Sequence, residues 1–389
     1  METIDIRPIL DDRELEEALD LWAEVFPKDR AFFEERIRLD PECGGRETTW
    51  VARVNDRLAA AVQIFPFFIH YKGMELKCGG IGNVAALPEF RGRQLVRTIL
   101  RQQTKWMRRN GFDLSLLFTH IPDFYEKEGW YSLRGTSLVI EADRLPDYSH
   151  DGHCKVQLFK AADLTEVKHI YDLFNEERCG ARVRTEAYWR GNLGLKRSGE
   201  FLTAFKDGRL VAYLRWELFD AERMDVVECC YLPGYQDAVC GFVNWFRSRP
   251  ASGRKEIRLQ VPDDHFLWRL FKRCGAREEP NHGVMWKILE PHSFYKKILL
   301  ILDQRMKQKA VNEQSMLVRS DNEDVLFRFE NNRLAIETLK NDAVAVDEIL
   351  LRKPEELVED LLSGTSLNHR FYAALFPKTS YAFWKSDRF

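Results

Sequence analysis

Hydrophobic and polar positions follow an order along the chain that occurs twice. A strand pattern at 4–8 precedes an amphipathic helix pattern, and a strand pattern at 156–160 precedes a second one. In each half a hairpin pattern with a turn signal follows, over 50–58 and over 201–210. These landmarks recur at an offset of about 145–150 residues, which predicts two copies of one α/β unit. The alternative is a pair of unrelated α/β domains that look alike at this level of detail.

The pattern changes after about residue 290. An amphipathic helix is predicted from Ser293 to Gln308, and short strands and a further helix follow it. The strands are predicted at 316–319, 325–329 and 333–337, and the helix at about 354–362. The sequence therefore predicts three domains, at 1–148, 149–290 and 291–389, of which the third is a small α+β domain.

Composition excludes several classes of protein. Hydrophobic residues make up 45% of the chain and aromatic residues 12%, enough to build cores, so the chain is not disordered. The net charge of −2 argues against a dedicated DNA-binding protein, and no nucleic-acid partner is expected. No apolar run is long enough to span a bilayer, and no secretory signal is visible at the N-terminus.

Cysteine and histidine usage points to an intracellular chain without a metal site. The eight cysteines are scattered and form no C-x-x-C pair, which predicts reduced packing thiols and a cytoplasmic location. The nine histidines show no metal-ligand spacing, so no metal is expected.

A predicted strand, a Gly/Arg turn and a long helix form a candidate anion site. The strand at 80–87 runs into Pro88, the turn begins at Arg91, and the helix ends near Asn110-Gly111. The backbone N–H groups and the dipole of a helix N-terminus favour phosphate groups. The turn matches neither a P-loop nor the G-x-G-x-x-G fingerprint. For Arg93 and Arg97 the alternative is a solvated helix face.

A second candidate lies after the next predicted strand, at 119–131. Tyr125 stands at the start of a short predicted helix, near the strand ends where open α/β sheets bind ligands. A phenol there can donate a proton. The alternative is that Tyr125 is a packing aromatic residue.

Together these segments resemble a known family. The run Val84-Ala85-Ala86-Leu87-Pro88, the following Arg-Gly-Arg turn and helix, and Phe124-Tyr125 before Gly129-Trp130 resemble the acetyl-CoA core of GCN5-related N-acetyltransferases (GNAT). The doubled core followed by a small domain resembles the Eis group of that superfamily. The resemblance implies α/β units with mixed sheets: two tandem GNAT-like units and a sterol-carrier-protein-like C-terminal domain. It also implies a homo-oligomer.

The resemblance implies the following site for acetyl-CoA. Backbone groups of Val84, Ala85 and Ala86 would pair with the pantetheine arm, and His120 and Ile121 would lie where the central strands separate. The turn and first helical residues would wrap the pyrophosphate: Arg91, Gly92, Arg93, Gln94, Leu95, Val96 and Arg97. Gln94 replaces the small residue usual in this turn, which could weaken binding.

The resemblance also implies the acid and the base. Tyr125 would protonate the leaving CoA thiolate, either in concert with C–S cleavage or with a pKa lowered by the helix N-terminus. The carboxylate of Phe389 would accept the proton of the amine, with its pKa raised by burial; the alternative is a frayed tail. Glu24 and Asp29 resemble an acidic substrate wall in position. Arg388 would put an unfavourable positive charge beside a cationic amine.

The second copy lacks these features. It has Gln236-Asp237-Ala238-Val239 where the first has the Arg/Gly turn, and Phe271 aligns with Tyr125, so we expect it neither to bind CoA nor to catalyse. The chain is thus expected to transfer acetyl directly from acetyl-CoA to a primary amine of a small molecule or a lysine. No Cys lies in either motif to form an acyl-enzyme. The alternative is a non-catalytic CoA-sensing or lipid-binding protein that uses the C-terminal domain.

Overall fold

The computed structural model describes most of the chain. The described residues are 2–39, 45–148, 154–194, 201–220, 222–248, 256–281, 284–309, 311–320, 324–338 and 345–389. Among these residues, no helix combines the length and the apolar character needed to cross a membrane.

The first part of the chain builds a sheet and the helices around it. Its elements in chain order are β1 (Ile4–Pro8), α1 (Asp12–Val25), α2 (Arg30–Leu39), β2 (Thr49–Val54), β3 (Arg57–Tyr71), β4 (Met74–Ala86), α3 (Leu95–Arg109), β5 (Leu114–Phe118), α4 (Pro122–Glu126), β6 (Tyr131–Ser132) and β7 (Gly135–Glu141).

The second part repeats much of this order. Its elements are β8 (Lys155–Leu158), α5 (Leu164–Asn175), β9 (Cys179–Val183), α6 (Glu186–Tyr188), β10 (Phe201–Lys206), β11 (Arg209–Leu218), β12 (Arg223–Tyr231), α7 (Cys240–Ser248), β13 (Glu256–Leu259), α8 (Phe266–Arg273), β14 (Arg277–Asn281) and β15 (Val284–Ile288).

The third part is smaller. It consists of α9 (Pro291–Lys297), α10 (Leu299–Gln308), β16 (Gln314–Arg319), β17 (Asp324–Glu330), β18 (Arg333–Thr338), β19 (Glu348–Leu351), α11 (Pro354–Ser363) and α12 (Arg370–Leu375). The three predicted strands and the helix near 354–362 are confirmed. The single helix predicted from Ser293 to Gln308 is wrong, because two helices meet at Ile298.

The described strands form three sheets, and the first two exchange strands. The first sheet has the order β1-β2-β3-β4-β5-β15-β6, with β9 also paired to β3; the second has β14-β7-β13-β12-β11-β10-β8. Strand β15 therefore completes the first sheet from the far end of the second part, and β7 enters the second sheet from the first part. The third sheet has the order β18-β17-β16-β19. The domain boundaries at 148 and 290 stay a prediction. Strands of the first two sheets come from both sides of residue 148, whereas every strand of the third sheet lies after residue 290.

The two central strands of each large sheet run parallel and then separate. Strand β4 pairs with β5 only as far as Ile81 and Leu117, and β12 pairs with β13 only as far as Val226 and Leu259. Ile81 and Val226 lie 145 positions apart, within the predicted offset of the repeat. We call the opening beyond the last pair the cleft of each unit.

Local sequence explains the hairpins. The β2–β3 turn places Asn55 and Asp56 in the left-handed region, and the β10–β11 turn does the same with Asp207 and Gly208. These residue types tolerate the positive φ that a tight hairpin turn requires. Both predicted hairpins are confirmed.

Buried apolar residues hold helix α3 and the sheet together. The buried face of α3 includes Leu95, Ile99, Leu100 and Met107, and it packs on the strands of the first sheet at the helical spacing that the sequence shows. None of the described cysteines, at 78, 154, 179, 229, 230, 240 and 274, forms a disulfide bond. Cys43 lies outside the described residues.

Candidate active site

The cleft of the first unit exposes a free strand edge. Strand β4 continues past Ile81 with β3 on one side, where Ala61 pairs with Ala85 and Ala60 with Ala86. On its other side the pairing with β5 has stopped, so no described strand covers the edge. Asn83 has a φ of 49° at the bulge in this strand, and its amide donates to Gln63 Oε1 at 2.7 Å. Val84, Ala85 and Ala86 thus present backbone groups that an extended ligand arm can pair with.

The N-terminus of α3 lies open beside this edge. Gly92 and Gln94 both have left-handed backbone, with φ values of 79° and 60°. The helix has no side-chain cap and no acidic residue in its first turn, so its positive end is not neutralised by its own residues. Successive left-handed and turn residues aim backbone N–H groups at one point, which suits an anion. Residues 91–94 are exposed, and the Gln94 side chain therefore lies in solvent.

The arginines of this turn contact side chains of the protein. Arg93 pairs with Glu2, and its guanidinium lies 5.6 Å from the centre of the Phe90 ring. Arg97 lies 3.8 Å from a carboxylate oxygen of Glu128 and 5.2 Å from the Phe124 ring. Both guanidiniums already have acidic partners, so the free N–H groups of the turn are the simpler anion donors. Arg91 donates weakly to the Ala86 carbonyl, at 3.4 Å.

Glu128, which sequence reasoning did not single out, ties the two motifs together. Its buried carboxylate accepts two hydrogen bonds from Arg101, at 2.8 and 2.9 Å, and so joins α3 to the turn after α4. From the exchanged strand β15, Lys287 Nζ donates to the Glu128 carbonyl at 2.6 Å. Burial lowers the pKa of Lys287 to about 8. A part of the chain far away in sequence therefore holds the second motif in place.

Tyr125 lies at this junction, in the five-residue helix α4. Its side chain is 7% exposed and packs in the cluster that contains Ile81 and Leu117, on the α3 face of the sheet. Burial raises the pKa of Tyr125 to about 12. The expectation that a helix N-terminus lowers this pKa is therefore wrong: burial disfavours the phenolate, and a helix this short offers little dipole. Tyr125 is a neutral proton donor at neutral pH.

The ring of Phe389 packs on the opposite face of the same cleft. It stacks on Phe65 with 4.7 Å between ring centres and meets Phe118 edge-on at 5.1 Å. It also covers Gly80, where an added Cβ would lie 2.5 Å from Phe389 Cε1. Gly80 and Phe118 alternate with Ile81 and Leu117 along their strands, so the Phe389 and Tyr125 faces are opposite. The ring is packed rather than frayed.

The other predicted site residues are exposed. His120 and Ile121 occupy the turn between β5 and α4 and are exposed, Ile121 at 60%. Glu24, near the end of α1, and Asp29, before α2, are exposed as well. Asp29 Oδ1 accepts from the backbone N–H of Phe32 at 3.0 Å, so it also caps α2. The predicted substrate role of Glu24 and Asp29 stays a prediction.

Helix α2 reaches the Phe389 ring through a stack of side chains. The guanidinium of Arg36 lies 5.3 Å from the centre of the Phe65 ring, whose plane in turn stacks on Phe389. A shallow cavity of about 540 Å³ beside α2 is lined by Asp29, Glu34 and Glu35, among others. Arg38 lines the same cavity and lies 3.5 Å from a carboxylate oxygen of Glu35, so the cavity carries charges of both signs.

The Arg388 side chain lines a cavity different from the one beside α2. Its guanidinium lies 5.1 Å from the centre of the Phe118 ring, and it lines a cavity of about 480 Å³. The cavity lies between the 133–136 segment, the 260–264 segment and the tail at 378–385.

The second unit has the same backbone but a closed cleft. The Phe271 carbonyl accepts from Ala276 N–H at 3.0 Å, as the Tyr125 carbonyl does from Trp130 N–H at 3.1 Å, so Phe271 occupies the place of Tyr125. The buried ring of His265 lies with Nε2 3.2 Å from the Cys229 carbonyl, at the strand edge equivalent to Val84.

The helix start of the second unit is also altered. The segment Gln236–Val239 is a 3₁₀ helix with Asp237 in its first turn, and Asp237 pairs with Lys206 at 3.1 Å. A carboxylate at this position repels a phosphate group. The differences read from the sequence thus coincide with a cleft that side chains of the protein fill.

The sequence analysis did not single out two glycines, Gly80 and Gly82, on the face of β4 that Phe389 covers. We call these two glycines the floor of the first cleft. Gly80 and Gly82 alternate in β4, and both are needed because an added Cβ would meet the rings of Phe389 and Phe65. Glycines at every second strand position signal close approach of another group to one face. That signal was present in the run Gly79-Gly80-Ile81-Gly82.

Comparisons with known proteins agree with this geometry. The sequence model of the acetyltransferase (GNAT) domain matches residues 5–132. Curated protein sequences gave no match. Among solved structures, a probable N-acyltransferase from Enterococcus faecalis shares the fold at a TM-score of 0.77 and 16% identity, over 99% of this chain and 100% of that one.

Two further structures are similar over their entire length and that of this chain. A GCN5-related N-acetyltransferase from Anabaena variabilis has a TM-score of 0.71 at 12% identity, covering 100% of both chains. Eis1 from Mycobacterium abscessus has a TM-score of 0.68 at 13% identity, also over 100% of both. Residues 5–132 thus match the GNAT acetyltransferase domain, and the chain as a whole shares its fold with these three structures.

Proposed function

We propose that this protein is an acetyl-CoA-dependent N-acetyltransferase that transfers the acetyl group directly to a primary amine. GNAT proteins typically use acyl-CoA. The observation that carries the proposal is the geometry of the first cleft. The unpaired edge of β4 and the uncapped N-terminus of α3 lie beside the buried phenol of Tyr125 on one face of the sheet. The ring of Phe389 packs on the other face. The proposed acceptor is a small-molecule amine or a lysine.

The cosubstrate would bind along the first unit. Backbone groups of Val84, Ala85 and Ala86 would pair with pantetheine, and the N–H groups of residues 92–97 would hold the pyrophosphate. The exposed His120 and Ile121 would border the arm where it enters the cleft. The second unit would not bind CoA, since His265 occupies its strand edge and Asp237 its helix start.

The reaction would consist of one attack without an acyl-enzyme. The amine nitrogen attacks the thioester carbonyl, the C–N bond forms, and the C–S bond breaks with its electron pair leaving on sulfur. The amine proton passes to the Phe389 carboxylate, directly or through water, and the thiolate takes a hydrogen bond from Tyr125. Most of the rate enhancement would come from positioning the two reactants.

The pKa of Tyr125 limits what it can do. A phenol with a pKa of about 12 is a weaker acid than a CoA-type thiol with a pKa of about 8.5. Complete transfer to a free thiolate would cost roughly 5 kcal/mol at about 1.4 kcal/mol per pKa unit. Tyr125 is therefore expected to stabilise the developing charge by hydrogen bonding, with any transfer concerted with C–S cleavage.

The test measures thiol release from acetyl-CoA against aminoglycosides, polyamines and lysine peptides. Tyr125→Phe is expected to lower kcat by about 10²-fold or more, the usual contribution of a positioned acid. Tyr71→Phe is the matched control, because it removes a buried hydroxyl that donates to the Leu361 carbonyl at 3.0 Å, away from the cleft. That control should lose stability but keep its kcat.

The role of the terminal carboxylate is tested separately. Removing Phe389 should abolish most of the transfer, and adding one glycine after it should keep the ring while moving the carboxylate. Unchanged rates in both chains would refute the terminal base and leave the acetyltransferase assignment intact. Wild-type protein that binds acetyl-CoA but acetylates no amine would favour the CoA-sensing alternative. Protein that binds no CoA and takes up lipid would favour a lipid-binding function of the C-terminal part. A homo-oligomer remains a proposal for sedimentation measurements.

A further inference from the structure

A group of buried charges joins the end of the chain to the second unit. Arg184 donates to both carboxylate oxygens of Glu228, at 2.9 and 2.6 Å, and to both oxygens of Asp387, at 2.9 Å each. All three side chains are completely buried. We call Arg184, Glu228 and Asp387 the tail clamp.

The three residues before Asp387 also contact the second unit. The Trp384 indole donates to Asn175 Oδ1 at 3.0 Å, and Lys385 Nζ pairs with Asp225 at 2.8 Å. Ser386 donates to Glu228. The segment 384–387 is thus bound to the second unit, although the next ring along the chain, Phe389, packs on the first.

Only Arg388 separates the clamp from Phe389. Two peptide steps span at most about 7 Å, so fixing Asp387 confines the main chain of Phe389 to a small region. The aromatic contacts of the Phe389 ring with Phe65 and Phe118 then set its orientation. The two anchors together determine where the terminal carboxylate lies.

The clamp occupies the closed cleft of the second unit. With the repeat offset of 145, Glu228 corresponds to Asn83 at the bulge of β4, and Asp225 corresponds to Gly80. One equivalent position therefore contacts the tail in both units: the Phe389 ring covers Gly80 in the first, and Lys385 pairs with Asp225 in the second. The cleft of the second unit, which side chains close, thus binds the tail.

A purely stabilising role is a poor explanation of these charges. Burying ions costs several kcal/mol each, and buried ion pairs are often no more stabilising than apolar residues of the same size. They do specify one arrangement, because any displacement leaves a charge unpaired. The buried charges are better explained if they hold the end of the chain in one reproducible position.

We propose that the tail clamp is a positioning device that holds the Phe389 carboxylate at the acceptor side of the first cleft. This inference rests on the proposed acetyltransferase function. It assigns Arg184, Glu228 and Asp387 as positioning residues that act through Phe389, without contact with either substrate. It also gives the second unit a role in the reaction.

The test compares Asp387→Ala, Asp387→Asn and a control in the intact chain. Asp360→Ala is the control, because Asp360 is equally buried and pairs with Arg352 at 2.6 Å in the third part, away from the tail. Asp387→Ala should lower kcat at least tenfold while the KM for acetyl-CoA changes by no more than about twofold, since about 1 Å of misplacement can cost 10²-fold. Asp387→Asn, which keeps an acceptor for Arg184, should recover part of the rate.

Two further measurements separate positioning from loss of stability. In a chain lacking Phe389, Asp387→Ala should cause no more than about a twofold additional loss of kcat, because both changes act on one group. A carboxypeptidase that removes aromatic terminal residues should release Phe389 faster from Asp387→Ala than from wild type or Asp360→Ala.

Each outcome decides the question. Equal kcat losses in Asp387→Ala and Asp360→Ala, or full additivity with the deletion, would overturn the proposal. Unchanged release of Phe389 would overturn it as well. If wild type transfers no acetyl group but the clamp variants still accelerate Phe389 release, the proposed function fails while the clamp stands as the anchor of the tail.

Discussion

Substituting Gly80 by alanine tests the link between the floor of the cleft and catalysis. The added methyl would lie 2.5 Å from Phe389 Cε1 and closer still to Cζ. Carbon atoms that are not bonded prefer separations of about 3.5–4.0 Å, so the ring must move by about 1 Å or more. The φ of Gly80 is not in the left-handed region, so the substitution acts through this contact alone.

Gly79→Ala is a closely matched control. Its methyl would meet Met107 Sδ and the Phe112 ring on the opposite face, without touching Phe389. Both substitutions add one methyl to a packed position in β4 and should each cost about 1–3 kcal/mol of stability. Only Gly80→Ala moves the terminal residue, and a shift of about 1 Å predicts a loss of about 10²-fold in kcat.

The assay is steady-state thiol release with a saturating amine, together with acetyl-CoA binding by calorimetry and urea unfolding. Gly80→Ala should keep its affinity for acetyl-CoA, because the β4 edge and the α3 N-terminus are not touched. Equal kcat losses in the two alanine variants would show that the effect is general overpacking. A normal kcat in Gly80→Ala, in a protein that needs Phe389 for activity, would refute the geometric reasoning.

Three further predictions concern single residues. Gln94→Gly should raise the free energy of unfolding by about 1 kcal/mol in urea titrations, because Gln94 has a φ of 60°, and it should not weaken acetyl-CoA binding. Burial lowers the pKa of His265 to about 3, so the free energy of unfolding should fall as the pH drops from about 6.5 toward 3. In pH-dependent melts, His265→Gln should show a shallower fall than wild type. The same dependence of stability on pH in both proteins would contradict this. Cys78→Ala should keep kcat within about twofold, because burial raises the pKa of this thiol and direct transfer needs no thiolate; a large loss would reopen covalent catalysis.

Local features of the site could be predicted from the sequence. The β4 strand, the turn from Arg91 to Gln94 and the helix after it depend on residues close together in the chain, and so does the Tyr125 turn. The hairpin turns at Asn55-Asp56 and Asp207-Gly208 were predictable for the same reason. The absence of a hydroxyl at Phe271 needed only a count from Gly275.

Features that depend on distant residues could not be predicted. The exchange of β7 and β15 cannot be predicted, because the hydrophobic pattern of a strand does not depend on which sheet the strand joins. The pKa of Tyr125 follows from burial by other segments, and local reasoning about a helix N-terminus gave the wrong direction. The break between α9 and α10 at Ile298 interrupts an amphipathic pattern that carries no Gly or Pro at that point.

The strand exchange has a consequence for the newly made chain on the ribosome. Strand β5 is complete at Phe118, but its neighbour β15 begins only at Val284. At about 5–20 residues per second, the edge of β5 waits on the order of ten to thirty seconds for its partner. An unpaired strand edge can pair wrongly with other chains, so binding of a chaperone to the new chain matters most during this interval. The floor at Gly80 receives its aromatic cover later still, with residue 389. The first unit carries the open β4 edge, yet it completes its sheet only after most of the second unit has been made.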